Sequence, residues 1–327
     1  MSSSHHTQKD YQYYFKSLAH KLGLENLIDD FEEGFIYSDG IKIHLDIIET
    51  DANAPTVVFI PGTAVYSLCY AELLATVAAG GYNVIGFDPR GHGRSGGKRG
   101  DYTIEELMRD TQNVVSYAIE QFNSEVSLLG SSQGGITAFY VAAIDDRIKS
   151  AVCQNFADLS LSETACLSRL PWLTRLSKPL LSPITKLIPN ISIPIASYID
   201  LSKEKVKHFG TVSNFLKQDP LAIENVSLRA LHSLSTCQLP KAIEKIDTPL
   251  MIIQPGKDNI FPVSYTRKLF AKLKCKKRLE IFSYLSHTLF FDNVNVVAPS
   301  ILRWLDNVHE IDKKDDVKIV KMNTNVA

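Results

Sequence analysis

The sequence VSLLGSSQGG, residues 126–135, decides the fold class of this chain. Its apolar first half is typical of a buried strand, the glycine-flanked serine of a sharp turn, and the residues after it of a helix. In this context G-x-S-x-G presents a nucleophilic serine on a strained turn. The glycines are needed because larger side chains would collide with the neighbouring strand and helix. Ser132 is therefore the candidate nucleophile, and the alternative is a small buried residue in a structural turn.

A serine hydroxyl needs a histidine as general base and a carboxylate that orients the imidazole. Both should follow the serine in the chain, with the acid first. Asp258 lies in the loop after a predicted buried strand, residues 248–254. His287 lies in the loop after the next predicted strand, residues 278–283. These two residues are the candidate acid and base.

Other interpretations of these polar residues remain open. Asp258 is also well placed to cap the turn 256–259 without a catalytic role, in which case Asp158 is the spare acid. His287 has the alternative of an ordinary loop histidine. His92, in a glycine-rich loop, is predicted to be structural and hydrogen-bonded within its turn.

Acyl transfer also requires two backbone N–H groups directed at the developing oxyanion. The residue after the nucleophile, Gln133, supplies one. The loop after an earlier predicted strand, residues 56–60, is the expected source of the other. Thr63 is the candidate donor there, with Ala64 as the reserve.

A second motif, DPRGHGRS at residues 88–95, is followed by GKRG at residues 97–100. The G-x-S-x-G turn, which we call the nucleophile elbow, the candidate acid and base, and this second motif together resemble the α/β-hydrolase superfamily. Within it they resemble the branch of monoacylglycerol lipases, lysophospholipase-like enzymes and serine aminopeptidases. The resemblance runs from about Phe35 to Asn307. Two departures are visible: Pro61 replaces the usual histidine of the oxyanion loop, and the elbow has Ser-Ser-Gln where the lipases commonly have His-Ser-Met.

The resemblance implies a doubly wound, mostly parallel eight-stranded sheet with a helical cap inserted between strands 6 and 7. We therefore expect a hydrolase core over residues 31–157 and 245–309, and a cap over residues 158–244. Residues 1–30 are predicted to form an N-terminal helical extension, because apolar residues recur at helical spacing between residues 10 and 24. Residues 310–327 are predicted to form a flexible C-terminal tail.

The cap sequence is apolar but interrupted by prolines and basic residues, so a membrane-spanning helix is not expected. One hypothesis is that its apolar residues line an acyl-chain tunnel or make transient contact with a membrane surface. The other is an ordinary cap that buries them against the core. The candidate substrate-binding residues of the cap are Trp172, Leu173, Leu180 and Leu187.

Composition and motifs narrow the classes of partner and cofactor that this chain is expected to bind. A net charge of −1 argues against nucleic acid as a partner. The sequence has no phosphate-binding glycine motif, and its five cysteines are far apart, so neither a nucleotide, a metal nor another cofactor is expected. No obligate protein partner is indicated. The odd cysteine count and the absence of a signal segment favour a cytoplasmic protein.

The sequence thus predicts a serine hydrolase that cleaves carboxylic esters through an acyl-enzyme. An apolar cap favours a lipid-like ester, such as a monoacylglycerol or a lysophospholipid. The same triad serves aminopeptidases and thioesterases, which remain alternatives within the enzymes. A hydrolase-fold receptor that binds a ligand with little turnover is the alternative of another class.

Overall fold

The computed structural model of the protein describes residues 30–207 and 209–311, apart from the side chains of residues 175 and 177–181. The predicted N-terminal extension lies outside the described residues except for Asp30. So does the predicted tail, except for residues 310 and 311.

An eight-stranded sheet forms the centre of the molecule. In chain order the strands are β1 (Glu32–Ser38), β2 (Ile41–Ile48), β3 (Thr56–Ile60), β4 (Asn83–Phe87), β5 (Val126–Ser131), β6 (Ile148–Gln154), β7 (Ser192–Pro194), β8 (Lys205–Val206), β9 (Gly210–Thr211), β10 (Asn225–Ser227), β11 (Leu250–Pro255) and β12 (Lys277–Phe282). The order across the main sheet is β1-β2-β4-β3-β5-β6-β11-β12. β2 pairs antiparallel with both of its neighbours, whereas all the pairs from β4 to β12 are parallel. The predicted fold class is confirmed.

Helices connect and cover these strands. In chain order they are α1 (Ala71–Ala79), α2 (Ile104–Gln121), α3 (Gln133–Ala142), α4 (Pro171–Leu187), α5 (Ile195–Tyr198), α6 (Val212–Gln218), α7 (Leu228–Thr236), α8 (Val263–Lys272), α9 (Leu289–Asp292) and α10 (Val294–Val308). Short 3-10 turns occupy Ser67–Tyr70, Ser162–Leu167 and Ile243–Lys245. α1 packs against α10, and α2 packs against α3.

The central strands are buried because helices cover them. Every residue of β3, β4, β5 and β11 is buried, which is the pattern of a parallel sheet with both faces covered. The polar helix α2 instead begins with a capping box. The Thr103 hydroxyl accepts a hydrogen bond from the Glu106 amide, and the Glu106 carboxylate accepts one from the Thr103 amide.

The cap lies between β6 and β11, the sixth and seventh strands of the main sheet. It contains α4 to α7 and two small sheets, β7 with β10 and β8 with β9. Backbone hydrogen bonds join it to the core at Ile223, which donates to the Ala64 carbonyl, and at Ser227, which donates to the Gly100 carbonyl. Among the helices of the described residues, none is long and apolar enough to cross a membrane.

Candidate active site

The candidate nucleophile lies at a backbone position that few side chains adopt. Ser132 follows β5 and has a φ of 54°, in the left-handed region. Its amide donates to the Gln154 carbonyl at 2.9 Å, and its carbonyl accepts from Ile136 at 3.1 Å, so both neighbouring elements hold the turn. A Cβ on Gly134 would overlap the carbonyl oxygen of Ile60, which explains why only glycine fits there. The sharp turn directs Ser132 away from the sheet.

The loops after β11 and β12 bring the other two candidate residues to this serine. Nε2 of His287 lies 3.0 Å from Oγ of Ser132. Nδ1 of the same ring lies 3.0 Å from Oδ2 of Asp258. The Phe261 ring stacks on the imidazole, with centroids 5.9 Å apart and planes 6° from parallel. The three side chains therefore form one hydrogen-bonded chain, in the order nucleophile, base and acid.

Asp258 combines both of the roles considered for it. Its Oδ1 accepts hydrogen bonds from the amides of Ile260 at 2.8 Å and Phe261 at 2.9 Å, which caps the loop. Its Oδ2 faces His287 and also accepts from Nδ2 of Asn155 at 3.0 Å. The spare acid, Asp158, instead accepts from Ser160 in its own turn.

The electrostatics of the pair favour charge on both partners. Burial disfavours the Asp258 carboxylate, but His287 and the two loop amides outweigh it and hold the pKa of Asp258 below its usual value. Burial likewise disfavours the imidazolium, yet the carboxylates of Asp258 and Glu204 raise the pKa of His287 above 6.5. The site is therefore suited to stabilise the imidazolium that forms when a histidine takes a proton from serine.

The loop after β3 meets the elbow at the candidate oxyanion donors. Among the described residues, the backbone amides of Thr63 and Gln133 donate to no protein acceptor. The Gln133 side chain joins the two segments, since its Oε1 accepts from the Thr63 hydroxyl and from the Tyr102 hydroxyl at 3.0 Å. Ala64, the reserve donor, has a φ of 74° and accepts from the cap through its carbonyl. This geometry leaves two amides free at the serine.

An apolar cavity of about 350 Å³ opens onto Ser132 between the core and the cap. Its lining contains hydroxyl and amide groups but no charged side chain among the described residues. The larger residues that line it are Ile136, Leu159, Leu167, Leu170, Leu173, Tyr198, Ile199, Leu231, Leu234, Ile260 and Phe261.

The predicted substrate-binding residues of the cap fall into different places. Leu173 lines the cavity. Trp172 does not: it is 62 % exposed, because one helical step turns it about 100° away from Leu173. Leu187 is 82 % exposed and lies at the far end of α4, about 21 Å along the helix from Leu173. Trp172 and Leu187 are thus not among the residues that line this cavity, and the side chain of Leu180 lies outside the described residues.

A family model described as serine aminopeptidase, S33, matches residues 51–294. The chain belongs to this family. It is an α/β-hydrolase of the monoacylglycerol lipase type, as the motifs predicted. The S33 match spans both strands that precede the candidate acid and base, as well as the elbow.

Individual relatives of this S33 family member include hydrolases of two kinds. A monoacylglycerol lipase from Mycolicibacterium smegmatis is 25 % identical over 283 residues, which cover 84 % of this chain and 96 % of the relative. The thiohydrolase aneE from Aspergillus aculeatus is 25 % identical, covering 78 % of this chain and 86 % of the relative. The solved monoglyceride lipase of Saccharomyces cerevisiae, a soluble variant with a substrate analog, has a TM-score of 0.67 at 20 % identity, covering 85 % and 96 %.

The departures from the usual pattern of the branch have partners of their own here. Ser131, before the nucleophile, donates to Oε1 of Gln154 at 2.7 Å and accepts from the Tyr70 hydroxyl at 3.1 Å. The Tyr70 hydroxyl also accepts from the amide of Gly62, next to Pro61.

His92 is buried, and its Nδ1 lies 3.0 Å from the Arg90 carbonyl, while burial lowers its pKa to about 4. It contributes to the loop rather than to the triad, as predicted.

Sequence reasoning missed three residues that shape the site: Tyr102, Asn155 and Glu204. Only Asn155 carried a usable signal, because it is a polar residue directly after a buried strand that neighbours β11. The other two meet the site across long stretches of chain.

Proposed function

We propose that this protein is a serine hydrolase that cleaves carboxylic esters with an apolar acyl group, using Ser132, His287 and Asp258. The observation that carries the proposal is the hydrogen-bonded chain of these residues, with both links at 3.0 Å, at the mouth of an apolar cavity.

The proposed reaction has two steps. His287 takes the proton of Ser132 as Oγ attacks the ester carbonyl, and Asp258 stabilises the resulting imidazolium. The amides of Gln133 and Thr63 donate to the tetrahedral oxyanion, a contribution of about 10²–10³-fold per donor. The imidazolium then protonates the leaving alcohol, which departs and leaves an acyl group on Ser132. Water, deprotonated by His287, hydrolyses this acyl-enzyme and restores the serine.

The cavity supports a neutral, lipid-like substrate. Its volume of about 350 Å³ lies within the usual range of small-ligand pockets. An aminopeptidase would need a carboxylate to hold a free amino terminus, and no acidic side chain is among the described residues that line the cavity. Because no charged side chain is among the described residues that line the cavity, we favour a monoacylglycerol over a lysophospholipid, whose head group is charged.

A thioester is the second candidate substrate. The relative named as a thiohydrolase favours it, because the same triad attacks either carbonyl. Oxygen and sulfur esters with the same acyl group distinguish the two, since preference then depends only on the leaving atom.

We also propose that the cap makes transient contact with a membrane surface. Trp172, Leu176 and Leu187 each expose more than three fifths of their surface, and Lys186 lies in the last turn of the same helix. An apolar stripe with a basic residue is typical of interfacial helices. Cosedimentation with phosphatidylcholine and phosphatidylglycerol vesicles tests this: Trp172→Ser with Leu187→Ser should weaken binding, and unchanged binding would refute the contact.

The experiment that tests the function is hydrolysis of p-nitrophenyl esters and monoacylglycerols over a series of acyl lengths. Ser132→Ala is the inactive variant. Ser235→Ala is its matched control, because this serine lines the same cavity but donates only within its own helix. We expect turnover that depends on Ser132 and rises with acyl length. Turnover confined to acetyl esters would contradict the lipid-like substrate, and turnover by Ser132→Ala would contradict the nucleophile.

A further inference from the structure

A carboxylate from the cap is buried against the two loops that hold the candidate acid and base. Glu204 has no exposed surface. Its Oε1 accepts hydrogen bonds from Nδ2 of Asn259 at 2.8 Å and from the Asn259 amide at 3.3 Å. Its Oε2 accepts from the His287 amide at 3.1 Å. The Glu204 side chain therefore joins Asn259, the residue after Asp258, to His287.

The residues after Glu204 continue this contact. We call residues 204–207 the cap strap. The Lys205 carbonyl accepts from the Thr288 hydroxyl at 2.7 Å, and the Lys207 amide lies 3.1 and 3.2 Å from the two carboxylate oxygens of Asp292. On the other side, the His287 carbonyl accepts from Nε2 of Gln154, at the end of β6, at 2.7 Å. The peptide groups of His287 are thus held between the cap and the sheet.

We propose that Glu204 is a positioning residue, through which the cap strap keeps the loops of Asp258 and His287 aligned with Ser132. The inference rests on the proposed triad. Glu204 does not touch the reacting atoms. It acts through the backbone of His287, whose ring must stay within hydrogen-bond distance of the serine for proton transfer. It also accepts hydrogen bonds from three donor groups, two of Asn259 and one of His287, which would lose these partners without it.

The charge of Glu204 gives this role a distinct signature. The charged groups that act on His287 are Asp258, from the loop after β11, and Glu204, from the cap. Ser132 and Phe261 face the ring as neutral groups. Removing the charge at Glu204 should therefore lower the pKa of His287, because the imidazolium loses one of its two stabilising carboxylates.

The test compares Glu204→Gln with the wild type, with Glu204→Asp as the conservative variant. Glu224→Gln is the matched control, since it removes the same charge from an exposed position in the cap. The pKa of His287 is measured by NMR titration, its resonance being assigned with a His287→Gln variant. The nucleophilicity of Ser132 is measured as its rate of phosphonylation by a fluorophosphonate. The constants kcat and KM are measured on a short p-nitrophenyl ester.

For Glu204→Gln we expect a lower His287 pKa, an acidic limb of kcat/KM moved to lower pH, and a fall in kcat of about tenfold to a hundredfold with little change in KM. Glu204→Asp should keep the His287 pKa nearer the wild type, and Glu224→Gln should match the wild type throughout. A His287 pKa and a kcat unchanged in Glu204→Gln would overturn the inference. Failure of the wild type to react with the fluorophosphonate would instead contradict the proposed function, while the NMR titration still decides the role of Glu204.

Discussion

Two regions of the molecule are built in different ways. One is the edge of the main sheet formed by the carboxyl ends of its parallel strands, which we call the sheet edge and which carries the candidate triad; the other is the cap that covers it. Ser132, Asp258 and His287 each follow a parallel strand of the main sheet, so strand order alone brings them to one edge. The cap has strands of only two or three residues, and α4 leaves large apolar side chains exposed. From this difference we infer, as part of the proposed function, that the sheet sets the chemistry and the cap sets the choice of substrate. Substitutions at the sheet edge should therefore alter kcat for every ester, and substitutions in the cap should discriminate between esters.

The largest effect should come from the nucleophile. Ser132→Ala should lower kcat by about 10⁴-fold or more on every ester, because the proposed reaction has no other nucleophile that could form the acyl-enzyme. Folding should be preserved, as judged by circular dichroism and thermal unfolding, since alanine fits the small space of the elbow. Ser235→Ala alters the cavity lining but none of the three candidate catalytic residues, so it should lower kcat far less than Ser132→Ala does. Equal losses in the two variants would remove the distinction between sheet edge and cap.

The acid should have the next largest effect, with a change in pH dependence. In the wild type, kcat/KM should fall as the pH drops through the His287 pKa, which lies above 6.5, because only the neutral imidazole accepts a proton. Asp258→Asn should lower kcat by about 10³–10⁴-fold. It should also move the acidic limb to lower pH, because the imidazolium loses its nearest carboxylate. Initial rates between pH 5 and 9 measure both effects, and an acidic limb at the wild-type pH in Asp258→Asn would contradict the pairing.

The elbow glycines test how closely the sheet edge is packed. Gly134→Ala should lower the free energy of unfolding by about 3 kcal/mol or more, because its Cβ would overlap the Ile60 carbonyl oxygen. Gly40→Ala is the control for backbone strain: Gly40 has a positive φ of 75° and open space around it, whereas Gly134 lies in helix α3, so about 1–2 kcal/mol is expected at Gly40. Urea unfolding followed by circular dichroism gives both values. A cost at Gly134 no larger than the cost at Gly40 would contradict the close packing of the elbow against Ile60.

The smallest expected effect separates two faces of the cap helix. Leu173→Ala should lower kcat/KM for a long-chain ester by about tenfold and leave an acetyl ester unchanged, because Leu173 lines the cavity. Leu187→Ala should change neither rate on dispersed esters, since Leu187 is far from the cavity. The ratio of long-chain to short-chain kcat/KM is the measurement. Loss of chain-length preference in Leu187→Ala alone would place the acyl chain on the outer face of the cap.

The sheet edge was predictable from sequence because its determinants are local. The elbow combines an apolar strand, a glycine-flanked serine and a helix within residues 126–135, and the acid and base follow the strands that carry them. The position of the cap, between the sixth and seventh strands of the main sheet, followed from the resemblance and is confirmed.

The contacts between cap and core were not predictable, because they depend on tertiary packing. Glu204, in the cap, meets His287 across 83 positions of chain, and no motif surrounds Glu204 in the sequence. The helical pattern of α4 also did not identify its inner face, since apolar residues occur on both faces: Leu173 faces the cavity and Trp172 the solvent. Prediction therefore succeeded where spacing along a strand or turn fixes geometry, and failed where one segment closes over another.

The acyl-enzyme itself offers the most direct test of the proposed chemistry. Purified protein is mixed with p-nitrophenyl decanoate, quenched in acid within milliseconds, and mapped by peptide mass spectrometry, with Ser132→Ala treated in the same way. We expect the decanoyl mass on the peptide that contains Ser132, appearing with the release of p-nitrophenol and absent from the variant. A decanoyl group on another residue, or turnover by a Ser132→Ala protein, would contradict the assignment of Ser132 as the nucleophile.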